Sequence, residues 1–188
     1  MRTARWAAVI LVGIGVLAYS AWLLEFVLST GLSPLHDPAW RLLTAEPVFR
    51  TAHLVAGIAF LFGGPPMIRL APVHWTGRLS AGAITVFGAI VLAETAFPGN
   101  VVIEVLTNLA FVAGCVGVVL WWPSRWRTFA AIGLGLVLVT WLGVVVLGQF
   151  GPDHFLGLLT RIQLLIRAIL LAAGVAYVLR FTPGGSHS

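Results

Sequence analysis

The chain has 188 residues, of which 60% are hydrophobic and 9% are charged, and its mean hydropathy is +1.02. An ordinary soluble domain is about 25% charged, and a soluble fold of this size cannot cover so much apolar surface, so a soluble globular protein is excluded. The net charge of +5 rests on eleven basic residues that are all Arg. They occur singly or in pairs, without the basic stripe of a nucleic-acid-binding protein, so no nucleic-acid partner is expected.

Six apolar stretches joined by short connections are each long enough for a spanning helix, which needs roughly 20 residues. The first stretch exceeds the ~7–15 residue core of a signal peptide, so we expect it to be a retained helix. The sequence therefore predicts an all-α integral membrane bundle of six transmembrane helices, in one domain over residues 1–188. The predicted spans are residues 6–28, 48–64, 79–97, 101–122, 129–150 and 158–179.

Pro and Gly residues interrupt the apolar pattern at each connection, because Pro lacks a backbone donor and Gly weakens helices. The first connection is the longest and contains Pro34, Pro38 and Pro47. The sequence Gly63-Gly64-Pro65-Pro66 predicts the end of the second helix. Two alternatives are a kinked continuation of that helix and a broken helix like those of transporters.

The distribution of Arg predicts that both termini are cytoplasmic. With the N-terminus inside, seven Arg residues and no acidic residue fall on the cytoplasmic side, against four Arg residues on the other side. This asymmetry follows the positive-inside rule. The seven are Arg2, Arg5, Arg69, Arg78, Arg125, Arg127 and Arg180.

All six acidic residues fall on the predicted outer side: Glu25, Asp37, Glu46, Glu94, Glu104 and Asp153. Three of them, Glu25, Glu94 and Glu104, lie within helices or at their ends. Helical spacing groups the polar residues of the outer leaflet further, because residues three or four apart share a helix face. Such pairs are Arg50 and His53, Glu104 and Asn108, and Gln163 and Arg167.

These polar faces should point into the bundle, because a charge facing lipid costs at least ~2.5–3.5 kcal/mol near the bilayer centre. Arg167 lies about two and a half turns inside the last span, too deep to reach the surface easily. We therefore expect it to have a carboxylate partner, either Glu94 or Glu104.

The candidate ligand-binding residues form one predicted outward-facing pocket: Glu25, Arg50, His53, Glu94, Glu104, Asn108, Arg161, Gln163 and Arg167. One interpretation is a site for a lipid headgroup or a small anionic solute. The other is a buried ion-pair network that fixes helix packing, since such networks have the same sequence signature. The sequence leaves both open.

Metal and cofactor chemistry has little support. His36-Asp37 and Asp153-His154 lie in two predicted outer loops, but the tight ligand spacing of a metal site is missing, so no metal is predicted. Only His53 lies in or near a span, whereas a bis-His haem needs two His residues at matching depth. We expect no cofactor, and no catalytic residue is assigned.

Several short stretches resemble an uncharacterised family of multi-span bacterial membrane proteins, domain of unknown function 998. They are Tyr19–Phe26, Thr30–Pro34, Phe49-Arg50 before Leu54–Gly57, Ala96-Phe97-Pro98 and Arg161-Ile162-Gln163. The resemblance implies a six-helix fold in a bacterial plasma membrane and no established reaction. The chain departs from the family pattern at Arg41-Leu42-Leu43, at His53 and in a shortened third connection, all on the predicted outer face.

The leading hypothesis is a non-enzymatic membrane protein that binds membrane lipids or a small ligand, or that serves as an accessory subunit. Its fifth span, rich in Gly and Val and uncharged, would then pack against a partner protein. One alternative is an enzyme acting on lipid headgroups, with Glu94 or Glu104 as general base. The other is a small-solute transporter, which is less favoured because the cytoplasmic halves of the spans carry almost no ionisable groups.

Overall fold

A computed structural model describes residues 2–71, 73–150 and 155–180. These residues form helices and connections, and no strand occurs among them. A 3-10 helix, Ser20–Phe26, continues the first α-helix, and a second, Ala39–Arg41, precedes the short α2. The α-helices are α1 (Arg2–Tyr19), α2 (Leu42–Ala45), α3 (Pro47–Leu70), α4 (Trp75–Ala96), α5 (Val101–Trp121), α6 (Ser124–Phe150) and α7 (Leu156–Arg180).

Six of the helical segments are long and apolar enough to cross a membrane, with lengths between 21 and 26 residues. This confirms the prediction of an all-α protein with six spans. Large apolar side chains remain exposed along these helices; Leu17, Val139 and Leu142 are 76%, 68% and 65% exposed. Such surfaces are costly in water and suit a hydrocarbon environment.

The six long helices form a ring in which neighbours in sequence are antiparallel neighbours in space. The order around the ring is α1, α3, α4, α5, α6 and α7, and α7 packs back against α1. All described acidic residues lie at one end of this ring, called here the acidic end. The opposite end, called the basic end, holds Arg5, Arg69, Arg78, Arg125, Arg127 and Arg180.

Helix α3 continues through Pro65 and Pro66 to Leu70, so the predicted helix end at this point is wrong. The two prolines lie close to the C-terminal end of α3, where they remove only a few intrahelical hydrogen bonds. Prolines are tolerated in spanning helices because neighbouring helices support the backbone. Close packing of α4 on this helix requires Gly88, because a Cβ there would overlap the Leu61 backbone nitrogen and lie 2.8 Å from the Gly57 carbonyl oxygen.

The long first connection is folded over the acidic end of the ring. We call residues 27–46 the cap segment. Its Leu42 is buried against Trp22 and Phe49 in a small apolar cluster. The cap segment also contacts the start of α7, where the Leu158 amide donates to Leu35 and the Ala39 amide donates to the Thr160 hydroxyl. The cap segment therefore forms a roof over the outer polar residues of the ring.

Candidate binding site at the acidic end

A buried ion pair joins the first and last spanning helices. Arg161 and Glu25 are 3% and 5% exposed, and the guanidinium donates to both carboxylate oxygens, Nε to Oε2 at 2.7 Å and Nη2 to Oε1 at 2.5 Å. This bidentate geometry is the strongest form of an Arg–carboxylate contact. The pair spans the 3-10 continuation of α1 and the first turns of α7, so it closes the ring between its two ends in sequence.

Arg161 also holds the cap segment. Its Nη1 donates to the carbonyl oxygens of Pro34 at 3.0 Å and Asp37 at 2.7 Å, and to the Gly157 carbonyl at 2.9 Å. Gly157 is required here, because a Cβ would lie 2.8 Å from the Pro34 carbonyl oxygen. Arg161 and Glu25 thus stabilise the packing of the ring and of the cap segment. For these two residues, the contacts agree with the interpretation of the polar cluster as an ion-pair network that fixes helix packing.

Within the cap segment, Asp37 fixes a turn. The Ser33 amide donates to its Oδ2 at 2.8 Å, and the Arg41 guanidinium donates to its Oδ1 at 2.5 Å. The Ser33 hydrogen bond, with a further contribution from the Arg41 charge, lowers the pKa of Asp37 below that of a free carboxyl. The ionised form of Asp37 is therefore part of the folded cap.

A polar cavity of about 110 Å³ lies beneath the cap segment. Five of the predicted site residues line it: His53, Glu94, Glu104, Gln163 and Arg167. The side chains of His53 and Glu94 are 14% and 21% exposed, so both border space that a water molecule can enter. Its size suits a headgroup or a few ordered waters rather than a whole drug-sized ligand, for which about 300–1,000 Å³ is typical.

Arg167 is the central cation of this cavity and is only 5% exposed. Its Nη2 donates to Asn108 Oδ1 at 2.6 Å, and its Nη1 lies 3.4 Å from the Tyr19 hydroxyl. The prediction that Arg167 pairs with Glu94 or Glu104 is wrong, because Arg167 forms no ion pair with any described carboxylate. Its Nε is buried without a hydrogen-bond partner. A buried cation normally has an anionic partner, so Arg167 is left incompletely neutralised.

Asn108 explains how Arg167 is held without a carboxylate. Asn108 is fully buried, and its Oδ1 accepts from Gln163 Nε2 at 2.8 Å as well as from Arg167. Its own Nδ2 donates to the Glu104 carbonyl. The guanidinium also lies 6.0 Å from the centre of the Phe111 ring, within the range of a cation–π contact. These contacts orient the side chain without a direct ion pair to any carboxylate of the described residues.

His53 and Glu94 form a second polar pair in the cavity wall. His53 Nε2 lies 3.0 Å from Glu94 Oε2, and the Thr107 hydroxyl donates to Glu94 Oε1 at 2.7 Å. The His53 ring stacks on Tyr19 with a centroid distance of 5.9 Å. Glu94 is therefore fully engaged and is not available as the free general base suggested by the enzyme hypothesis.

Glu104 and Arg50 behave differently from their neighbours. The Glu104 carboxylate lines the cavity, and no hydrogen bond or ion pair to it occurs among the described residues. Arg50 is exposed and lies outside the cavity lining, so the structure does not bring it to the predicted pocket. Arg167 and Glu104 thus line the same cavity, and neither forms an ion pair with another described residue.

Two contributors were not singled out from the sequence. Tyr19 contacts both Arg167 and His53, and a buried polar aromatic near a helix end was its only signal. Trp22 also lines the cavity, and its Nε1 is buried without a partner. Buried donors are normally satisfied, so Trp22 Nε1 and Arg167 Nε each lack the acceptor that a buried N–H requires.

The loop residues considered for a metal do not converge in the described part of the chain. His36 Nδ1 lies 2.8 Å from the Ser33 hydroxyl, and Asp37 is occupied by Ser33 and Arg41. No group of three potential metal ligands occurs within residues 2–71, 73–150 and 155–180. Asp153 and His154 lie outside the described residues.

Comparisons of the chain with protein-family models, with curated proteins and with solved structures find no match. The resemblance to domain of unknown function 998 stays a prediction. Within its described residues the chain is helical, and six of those helices are long and apolar enough to span a membrane.

Proposed function

We propose that this protein lies in a bacterial plasma membrane and binds the headgroup of a membrane phospholipid in the polar cavity at the acidic end. The observation that carries the proposal is Arg167, a buried cation that lines the cavity, has no ion-pair partner among the described residues and has a buried Nε without a hydrogen-bond partner. A phosphate group in the cavity would form the ion pair that the guanidinium lacks.

The unpaired carboxylate makes the proposal more specific. Glu104 lines the same cavity as Arg167, yet no ion pair joins them. A zwitterionic headgroup complements both groups, with its phosphate at Arg167 and its ammonium at Glu104. We therefore expect phosphatidylethanolamine to be preferred over phosphatidylglycerol, which has the phosphate and lacks the ammonium.

The orientation of the site is part of the proposal. The basic end carries six described Arg residues and no described acidic residue, and under the positive-inside rule this supports a cytoplasmic basic end. The cap segment and the polar cavity then face outward. The lipid ligand would come from the outer leaflet, at the depth where its headgroup already lies.

The experiment is native mass spectrometry of delipidated protein titrated with phosphatidylethanolamine or phosphatidylglycerol. We expect Arg167→Gln to weaken binding of both lipids at least about tenfold, since a hydrogen bond to a charged group contributes about 1.5–3 kcal/mol. Glu104→Gln should remove the preference for phosphatidylethanolamine. Arg50→Gln is the matched control, because Arg50 lies at the same end outside the cavity. Equal binding by Arg167→Gln and Arg50→Gln would refute the proposal.

A second candidate function, an enzyme acting on the bound headgroup, is favoured by one observation. Glu94 holds His53 through Nε2 beside the cavity, as a carboxylate orients a histidine base. In this candidate, His53 and not Glu94 accepts the proton. His53→Gln would abolish turnover of a bound phospholipid while leaving the affinity for that phospholipid unchanged. If the wild-type protein shows no turnover, the enzyme candidate is refuted and the binding proposal is unaffected.

Transport is less well supported. A solute leaving the polar cavity toward the basic end would meet the Phe87 and Phe111 rings, whose centroids lie 5.6 Å apart. Beyond them the interior is lined mainly by apolar side chains. The accessory-subunit alternative, with α6 packing against a partner protein, stays a prediction.

A further inference from the structure

A second and larger cavity lies inside the ring at the basic end. It has a volume of about 540 Å³, within the range of about 300–1,000 Å³ typical of small-molecule sites. Residues from all six spanning helices line it, so it is the centre of the ring rather than a groove between two helices. We call it the basic-end cavity.

The chemistry of the basic-end cavity changes along its length. Its inner part is lined by apolar side chains, including Val12, Ile84, Phe87 and Leu171. Its polar lining residues belong mainly to the basic end, including Arg5, His74, Trp121 and Tyr177. No Asp or Glu of the described residues lines it. The cavity thus combines an apolar interior with a mouth that carries positive charge.

An unsatisfied donor lies in the wall of this cavity near its mouth. Trp122 lines the cavity, and its Nε1 is buried without a hydrogen-bond partner. The ring is fixed by stacking on Tyr177, at a centroid distance of 4.6 Å and an interplanar angle of 19°. An indole N–H can only donate, so an acceptor oxygen is required to satisfy it.

An aromatic layer separates this cavity from the polar cavity at the acidic end. Phe87 packs edge-on against Tyr19 and Phe111, at centroid distances of 5.7 Å and 5.6 Å. The Arg167 guanidinium lies over Phe111 on the side of the polar cavity. The two cavities are therefore distinct sites, and a ligand in one need not occupy the other.

We infer that the basic-end cavity binds a single-chain amphiphile with an anionic head, its hydrocarbon chain in the apolar interior and its head at the Arg5 mouth. An oxygen of the head is the acceptor for Trp122 Nε1. Both a free fatty acid and a lysophospholipid with a phosphate head have this chemistry. The inference goes beyond the proposed headgroup site and does not depend on it.

The chain offers a matched pair of substitutions for the test. Gly174 lines the cavity, and a Cβ built there meets no atom within 4 Å, so Gly174→Phe fills cavity space without an initial clash. Gly135 is equally open but lies outside the cavity lining, so Gly135→Phe is the control. Val118→Trp, on a different helix of the cavity wall, is a second filling variant.

Binding would be measured as tritiated palmitate retained by protein transferred from detergent to an amphipathic polymer. Each displaced methylene weakens binding about fourfold, so a Phe that displaces two methylenes should weaken it at least about tenfold. We expect that loss in Gly174→Phe and Val118→Trp, with Gly135→Phe like the wild type. Wild-type binding by both filling variants would overturn the inference.

The head is tested by competition with unlabelled palmitate, hexadecyl lysophosphatidate and hexadecanol. We expect hexadecanol to compete at least tenfold less well than either anion, and Arg5→Gln to remove that difference. Stronger competition by palmitate assigns the ligand to free fatty acids, and stronger competition by lysophosphatidate assigns it to phospholipid-derived chains; either supports the inference. Equal competition by hexadecanol would overturn it.

Discussion

The Arg161–Glu25 pair allows a quantitative test of how the ring is closed. Both side chains are buried, with exposures of 3% and 5%, so neither charge can be hydrated in the folded protein. Glu25→Gln keeps the shape of the side chain and removes the negative charge, which leaves Arg161 buried and uncompensated. Breaking a buried pair in this way costs about 3–5 kcal/mol. We expect a fall of that size in the free energy of unfolding.

The double variant Glu25→Leu/Arg161→Met separates the two roles of Arg161. Removing both charges relieves the uncompensated charge, and a buried pair can often be replaced by apolar residues without loss. Here the double variant should still be destabilised by roughly 2–3 kcal/mol, because the carbonyls of Pro34 and Asp37 in the cap segment lose the Arg161 guanidinium as their donor. The cap segment would then be released while the ring remains closed.

Unfolding by sodium dodecyl sulfate in mixed micelles, followed by tryptophan fluorescence, gives the free energies to compare. Glu104→Gln is the control, because it makes the same chemical change at a carboxylate that has no bond in the described residues. The control should lie within about 1 kcal/mol of the wild type. If Glu25→Gln were no less stable than this control, the assignment of the pair as the closure of the ring would be refuted.

Three further predictions concern the packing and the cap. Gly88→Ala should destabilise by about 1–3 kcal/mol because its Cβ would press on the α3 backbone, whereas Gly82→Ala, where a Cβ meets nothing, should be neutral or stabilising in the same unfolding assay. Asn100→Ala should cost about 1 kcal/mol, because Asn100 Oδ1 accepts from the amides of Val102 and Ile103 at the start of α5; a fall below 0.5 kcal/mol would contradict the capping role. Because the pKa of Asp37 is lowered in the folded state, its stabilising contribution should be complete above about pH 5 and lost as the pH falls through the folded-state pKa. Amide hydrogen exchange of the cap segment should therefore accelerate on acidification in the wild type and be less dependent on pH in Asp37→Asn.

The six spans were predictable because a bilayer imposes a length and an apolar composition that each helix must show by itself. The continuation of α3 through Pro65 and Pro66 was considered only as an alternative to a helix end, because packing against neighbouring helices, which overrides a local helix-breaking signal, is not visible in the sequence. The boundaries at Trp75 and Ser124 also lie before the predicted spans, because polar residues such as Arg78 and Arg125 can extend a helix beyond its apolar part.

The convergence of polar residues at one end was predictable from depth alone, but their pairing was not. Helical periodicity indicates which residues share a face, whereas the partner of each depends on the order of helices around the ring. Arg167 was expected to bind a carboxylate and instead binds Asn108. Glu25 pairs with Arg161 because α7 packs against α1, and this contact cannot be inferred from helical periodicity. The cap segment has no periodicity, so its position over the site could not be inferred.

The Glu25–Arg161 pair has a consequence for the synthesis of the protein. The two residues are 136 positions apart, so at about 5–20 residues per second the first helix waits roughly 7–27 seconds for its partner to leave the ribosome. During that interval the Glu25 carboxylate lacks the Arg161 guanidinium as its ion-pair partner. The incomplete chain therefore carries an unneutralised carboxylate at the membrane boundary. Insertion of α7 brings Arg161 to the Glu25 carboxylate and neutralises it. A chain that stops before α7 keeps the unneutralised carboxylate, a chemical difference that a membrane protease can recognise.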